Sequence, residues 1–228
     1  MTLAQRKRLL MKASPWLLLL FLGLFWELLC FAFQIPDYLF PAPTDIWRSW
    51  LEYRPQIIEH ATQTLFTTVV GFALAVVFGL VLGMLVGSSP VIYKAVYPLM
   101  VGFNSIPKVA FVPVLVVWFG IGTVPAILTA FLISFFPVVV NMATGLATLE
   151  PELQDVMRSL GASRIDILKK VALPRSMPYF FASLKVAITL AFVGSVISET
   201  VASNVGIGYL MLSASSTMDM GLVFAGLV

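Results

Sequence analysis

From Val109 to Leu149 the chain runs without a single Asp, Glu, Lys or Arg. A polypeptide of that length without charge cannot coat a soluble globule, whose surface needs roughly a quarter of its residues charged. It can cross a membrane, because about 20 apolar residues at 1.5 Å rise span the hydrocarbon as a helix. Composition agrees: 60% of the 228 residues are hydrophobic and 11% charged, and the mean hydropathy is +0.98. Lipid is the solvent this sequence is written for.

Other stretches meet the same criterion. The first expected span covers Trp16 to Phe33, interrupted only by Glu27. The second lies inside the uncharged stretch Ala61 to Tyr93, with its apolar part from about Leu65 to Val86. The glycine-containing break Phe119-Gly120-Ile121-Gly122-Thr123 divides the next region into spans at roughly 96–119 and 124–143, joined as a hairpin. A fifth begins after Pro178 and ends near Ser198. The apolar run Gly221 to Val228 is too short to cross and reads as the start of a sixth span, through truncation or as a re-entrant element.

Lys and Arg in short loops set orientation. Arg6, Lys7, Arg8, Lys12, Lys94, Arg158, Arg164, Lys169, Lys170 and Arg175 all fall on one side of this five-span arrangement, while the other side holds only Arg48 and Arg54. The expected topology puts the N-terminal segment 1–15 in the cytoplasm and residues 16–228 in a transmembrane domain whose loop at about 144–177 is also cytoplasmic. The basic stretch before span one also resembles a signal peptide, but Glu27 and the lack of a small-residue cleavage site before Gln34 favour an uncleaved anchor. Cys30 is the one cysteine and His60 the one histidine. These cannot make an internal disulfide, a zinc site or a Cys–His dyad with members to spare, so no metal is expected. No Gly-x-x-x-x-Gly-Lys-Ser/Thr loop is present, so any ATP must be hydrolysed by a partner.

The cytoplasmic loop carries the strongest local pattern. Pro151 suits a first helical turn, Glu152 and Asp155 favour an N-terminus, and Gly161 suits a helix end. Leu153, Val156, Met157 and Leu160 then form an apolar stripe on an otherwise polar helix. Such a stripe either packs on the protein's own cytoplasmic ends or meets a partner. Gly79, Gly83 and Gly87 make a small-residue face for close helix approach, within one chain or between two. Among groups inside the bilayer, Glu27, Lys108, Lys185 and Glu199 rank first for pathway roles. Lys108 leads them. It stands between Pro107 and Pro113, which interrupt a helix and leave carbonyls for a watery cavity, with Asn104 and Ser105 near enough to help attract a polar or anionic solute. The competing reading of Lys108 is snorkelling to an interface, and Lys185, seven residues past Pro178, is expected to snorkel to the cytoplasm. Glu199 is kept in the pathway set with Asn104, Ser105 and Lys108, beside the plainer reading that it caps or pairs near the outer face.

The spacing Gly161, nine residues, Val171, one residue, Leu173-Pro174 is similar to the cytoplasmic signature of ABC importer permeases, Glu-Ala-Ala, three residues, Gly, nine residues, Ile-x-Leu-Pro. Here Asp155-Val156-Met157 replaces Glu-Ala-Ala and Val171 replaces Ile, which keeps the charge and adds bulk. The segments Leu39 to Ile46, Ile106 to Pro113 with Trp118-Phe119-Gly120, and Gly206 to Leu210 extend the resemblance to the nitrate/sulfonate/taurine branch. That branch also includes permeases for thiamine-precursor pyrimidines, riboflavin and aromatic acids. The resemblance implies an all-α type I ABC importer permease in the inner membrane, a bundle of five complete spans plus the start of a sixth. It implies a coupling helix at about Glu152 to Ala162, in which Glu152, Asp155, Val156, Met157, Ser159, Leu160, Gly161 and Ala162 meet the ATPase. It further implies two ATPase subunits holding ATP and Mg, a second permease copy as a homodimer, an extracytoplasmic solute-binding protein and surrounding lipid, with no nucleic acid and no cofactor in this chain. The resemblance also implies a solute that is small and polar or anionic. An ion-coupled secondary transporter is the alternative, against which stands the absence of an internal repeat; a membrane-embedded enzyme lacks a clustered catalytic set.

Overall fold

The computed structural model describes residues 3–148 and 150–228, and every regular element among them is helical. In chain order these are α1 (Leu3–Phe33), α2 (Pro43–Glu52), α3 (Arg54–Gly87), α4 (Pro90–Asn104), a 3-10 turn (Lys108–Phe111), α5 (Val112–Phe119), α6 (Thr123–Ala147), α7 (Pro151–Ser159), α8 (Arg164–Ile167), a π turn (Leu168–Ala172), α9 (Leu173–Ala202), α10 (Ile207–Ser216) and α11 (Met220–Leu227). Four continuous stretches are long and apolar enough to cross a membrane: Ala13–Phe33, Arg54–Gly87, Thr123–Ala147 and Ile165–Ala202. A fifth is a bent pair, Pro90–Asn104 with Lys108–Phe119, folded by 74°.

Two sequence expectations change in detail. The stretch expected as one span at 96–119 starts earlier and is broken, because Pro107 and Pro113 have no N–H to continue the ladder and the chain passes through a 3-10 turn between α4 and α5. The fifth span does not wait for Pro178. It is continuous from the α8 and π-turn region through α9, with Pro178 inside the helix, since one missing N–H near a helix end removes one rung and leaves the rest of the ladder intact.

The chain forms two compact units, the segments up to Glu59 and from Leu210 making one and His60–Tyr209 the other. In the first, α1 ends where Gln34 takes φ +50 and the Gln34 and Ile35 amides return to Phe31 and Cys30 at 3.3 and 3.1 Å. This is the paired-bond stop of a left-handed C-terminal cap. Helix α2 begins at Ala42, which has no side-chain oxygen to cap with. Glu27 of α1 supplies the acceptor instead, taking the Thr44 amide at 3.2 Å and its hydroxyl at 2.7 Å. A Trp26–Phe40–Phe224 aromatic cluster, with ring centroids 5.0 to 6.0 Å apart, ties α1, the following turn and α11 together.

In the second unit α6 and α9 pack along their lengths, and α3 lies against α6 through its glycines. A Cβ on Gly71, Gly79, Gly83 or Gly87 would fall 2.6 to 2.8 Å from the Cβ atoms of Ala130, Val138, Met142 and Leu146 in turn. Those separations are below any van der Waals contact, so the small-residue face seats a helix of the same chain. Val138, Met142, Leu146, Ile167, Phe180 and Ala187 form the core behind it. The α5–α6 hairpin turns at Gly120 and Gly122, with φ +78 and +133, and the Gly122 amide is held by the Ala202 carbonyl at 3.0 Å.

Candidate functional site

Helix α7 is a short amphipathic element whose end follows from one residue. Gly161 has φ +79 with nothing within 4 Å of where a Cβ would be, so the position demands a backbone conformation and not space. The Gly161 amide donates to Arg158 O at 2.9 Å and the Ala162 amide to Met157 O at 3.0 Å. These are the two bonds of a Schellman motif, and the residues that flank it, Met157 and Ala162, are both apolar. Both pack on the Met142–Leu146–Ile167 core, as does Leu153. Val156 and Leu160 do not; they are 56% and 77% exposed. The stripe read from periodicity is therefore divided, with Leu153 and Met157 serving as anchors and Val156 and Leu160 left open beside the exposed Glu152, Asp155 and Ser159.

The ends of this segment are tied down. Arg175 of α9 pairs with Glu150 at 3.1 Å. Ser163 and Asp166 cap α8 reciprocally, the Asp166 amide donating to Ser163 Oγ at 3.1 Å and the Ser163 amide to Asp166 Oδ2 at 3.3 Å. Lys170 lies 2.9 Å from the same carboxylate.

A second cluster sits at the break between α4 and α5. Lys108 Nζ donates to Asn104 O at 2.7 Å and to Asn104 Oδ1 at 2.8 Å, and stands 4.9 Å from the centroid of the Phe136 ring on α6. Asn104 and Ser105 are exposed and Lys108 is half-buried. The Asn104 carbonyl belongs to the last residue of α4, where a helix end carries partial negative charge, so the ammonium is steadied by a dipole and an aromatic face. Among the described residues it has no carboxylate partner. Lys185 is exposed on α9.

Glu199 stands apart from that cluster. It is 1% exposed and its carboxylate is occupied: Oε2 accepts from Thr64 Oγ1 at 2.7 Å and from the Gly208 amide at 3.1 Å, and Oε1 from Ser195 Oγ at 3.2 Å and Thr67 Oγ1 at 3.3 Å. Three successive amides at the start of α10 find side-chain acceptors, Gly206 on His60 Nδ1 at 3.0 Å, Ile207 on Thr64 Oγ1 at 2.8 Å and Gly208 on Glu199. These are the donors a helix N-terminus leaves unpaired. Gly206 adopts φ +112, and a Cβ there would enter the Glu199 carboxylate. The cap-or-pair reading describes this geometry. Thr64, Thr67, Ser195 and Phe136 were not singled out from sequence, and His60 was noted only as the one histidine, although Thr64 with Thr67 and Ser195 with Glu199 carry the helical spacings that put them on one face.

A helical, membrane-embedded chain with an open amphipathic helix outside its spans has the build of a permease subunit. Comparison with known proteins agrees. A family model described as "Binding-protein-dependent transport system inner membrane component" matches residues 75–228. A probable ABC transporter permease protein of Haemophilus influenzae is 32% identical over 94% of this chain and 88% of its own length. The formylaminopyrimidine transport permease protein ThiX of Halalkalibacterium halodurans is 30% identical over 96% and 88%. A solved chain of the MetNI methionine ABC transporter in an inward-facing conformation superposes with a TM-score of 0.64, covering 77% of this chain and 90% of that one at 19% identity, a likeness of fold. The chain belongs to the binding-protein-dependent transport system inner membrane components, the permease subunits of ABC transporters. Membership in that family decides against the ion-coupled secondary transporter.

Proposed function

We propose that this permease subunit works as a homodimer in the inner membrane, with its N-terminal segment 1–15 in the cytoplasm and residues 16–228 forming the translocation domain. A solute-binding protein delivers a small polar or anionic solute from outside. Two ATPase subunits, which hold ATP and Mg, dock on α7 and drive transport. The Lys and Arg asymmetry of the loops supports the orientation. Asn104, Ser105 and Lys108 line the pathway in this reading, while the saturated hydrogen bonding of Glu199 favours a positioning role for it.

The observation that carries the coupling is the division of the α7 stripe. Val156 and Leu160 give a partner an apolar knob flanked by Glu152, Asp155 and Ser159, whereas Leu153 and Met157 key the same helix into the core of α6 and α9. A push on the open face reaches the spans through packed side chains that resist deformation. The Gly161–Ala162 turn and the Glu150–Arg175 pair keep α7 from rolling away from that load.

The test is co-purification and transport-coupled ATP hydrolysis with the ATPase subunit reconstituted beside the permease. Val156→Asp and Leu160→Asp alter exposed positions and should leave membrane insertion intact while abolishing assembly. Unchanged assembly and coupling in both variants would remove α7 from the interface.

A further inference from the structure

Helix α2 is a short element set at membrane depth. The span Ala13–Phe33 rises about 30 Å, the thickness of the hydrocarbon. Glu27, which caps α2 through Thr44, stands six residues before the end of that span, about 9 Å inside it. The start of α2 therefore lies within one leaflet, at the level of interfacial helices, whose apolar faces sink about 5–10 Å into the headgroup and acyl boundary.

An apolar groove opens beside this helix. A cavity of about 450 Å³ is lined by Trp26, Pro43, Ile46, Trp47, Trp50 and Val228, a size within the range of small-ligand pockets. Trp26 lies seven residues before the end of the span, about 10 Å into the hydrocarbon. At that depth the available occupant is lipid, because neither water nor a soluble partner reaches the acyl region.

The rim of the groove carries a charge. The indoles of Trp47 and Trp50 stack with centroids 5.5 Å apart and planes 11° from parallel, and Trp47 is 61% exposed. Tryptophan in such a position anchors at the headgroup level. The Arg54 guanidinium stands 5.7 Å from the centroid of the Trp50 ring. Arg48 of α2 pairs with Asp45 at 3.7 Å, whereas the exposed Arg54 has no carboxylate within ion-pair distance among the described residues. Contact with a ring face leaves the fork of N–H donors available, and that fork matches the oxygens of a phosphate. Trp50 thus joins an apolar groove in the leaflet to an unpaired phosphate-binding group at its rim.

We propose that α2, Trp26 and Arg54 form a phospholipid-binding site, in which one acyl chain occupies the groove and the phosphate diester of the same lipid meets the Arg54 guanidinium. A lipid held at both ends fixes α2 against the bilayer. The proposal needs only the membrane placement of α1 and is independent of the solute and of the ATPase interface.

The permease, assembled with its ATPase subunits in phosphatidylcholine nanodiscs, is given a small fraction of phosphatidylcholine bearing a diazirine on one acyl chain, and photolabelled sites are mapped by peptide mass spectrometry. Labelling of Ile46, Trp47 and Trp50 is expected to exceed that of Phe21 and Leu24, which are exposed on α1. Changing the nanodisc lipid to digalactosyl diacylglycerol with the same chains removes the competing phosphate. Groove labelling relative to Phe21 and Leu24 should then rise about threefold, the worth of an exposed ion pair, and Arg54→Gln should erase that rise. Ile46→Trp, which fills the groove, should bring the Trp50 signal down to that of Phe21. Groove labelling no higher than that of Phe21 and Leu24 in either lipid would mean that α2 meets ordinary bilayer or is covered by protein, and would overturn the site. Preferential labelling that ignores both the change of lipid and Arg54→Gln would overturn the phosphate contact and with it the site as proposed.

Discussion

Thr64 and Glu199 lie 135 residues apart in sequence and 2.7 Å apart in space, a hydroxyl on α3 donating to a carboxylate buried on α9. Around that bond Thr67, Ser195 and the Gly208 amide complete the carboxylate, and His60 and Thr64 take the two preceding amides of the α10 start. A carboxylate so placed acts as the post on which α3, α9 and the turn at residues 203–208 are hung. Its value lies in the donors that would be stranded without it.

Replacing Glu199 with Ala should therefore destabilise the permease by about 2–4 kcal/mol, the cost of leaving several buried donors unpaired. Glu199→Gln keeps the volume and one acceptor oxygen, and should fall between Ala and the native protein. Thermal unfolding in detergent, followed by tryptophan fluorescence, gives the order. Equal stability of all three proteins would show that the clasp contributes nothing.

At Gly161 the constraint is conformational. Ala at φ +79 should cost about 1–2 kcal/mol in local stability, because a Cβ disfavours the left-handed region, while Asn, which tolerates that region, should cost less. Hydrogen exchange of the α7 amides reads this directly, with faster exchange in Gly161→Ala than in Gly161→Asn. A steric role would instead make the larger Asn the worse substitution.

Gly83 tests the close approach of α3 to α6. A Cβ at this position would sit 2.7 Å from Met142 Cβ, so Gly83→Val should separate the helices and cost about 1–3 kcal/mol by overpacking. Gly102, whose added Cβ would meet nothing within 4 Å, is the control. Gel-filtration profiles and melting temperatures of Gly83→Val and Gly102→Val should differ, the first losing stability and the second not. A stable Gly83→Val permease would mean that the α3–α6 contact is dispensable.

The approximate position of the spans, the α7 stripe and the Gly161 stop were legible in the sequence, because each depends on residues close together in the chain, whereas the break at Pro107 and the early start of the fifth span were not. An uncharged run of about 20 residues has one good solvent, and a 3.6-residue period or a glycine after an amphipathic helix acts within a turn or two. The family signature was legible for the same reason, as fixed spacing along one loop. What the sequence could not decide was the partner of each group. Periodicity placed Leu153, Val156, Met157 and Leu160 on one stripe, but only packing against α6 and α9 divided it into anchors and an open face. The glycine face of α3 fitted a neighbour in the same chain or in another, until Val138 and Met142 were found seated on it. Glu27 and Glu199 looked alike as costly charges in apolar spans, and tertiary structure made one the cap of α2 and the other a buried post. Hydrogen bonds between helices join residues a hundred or more positions apart, and no local pattern records which donor a buried carboxylate will meet.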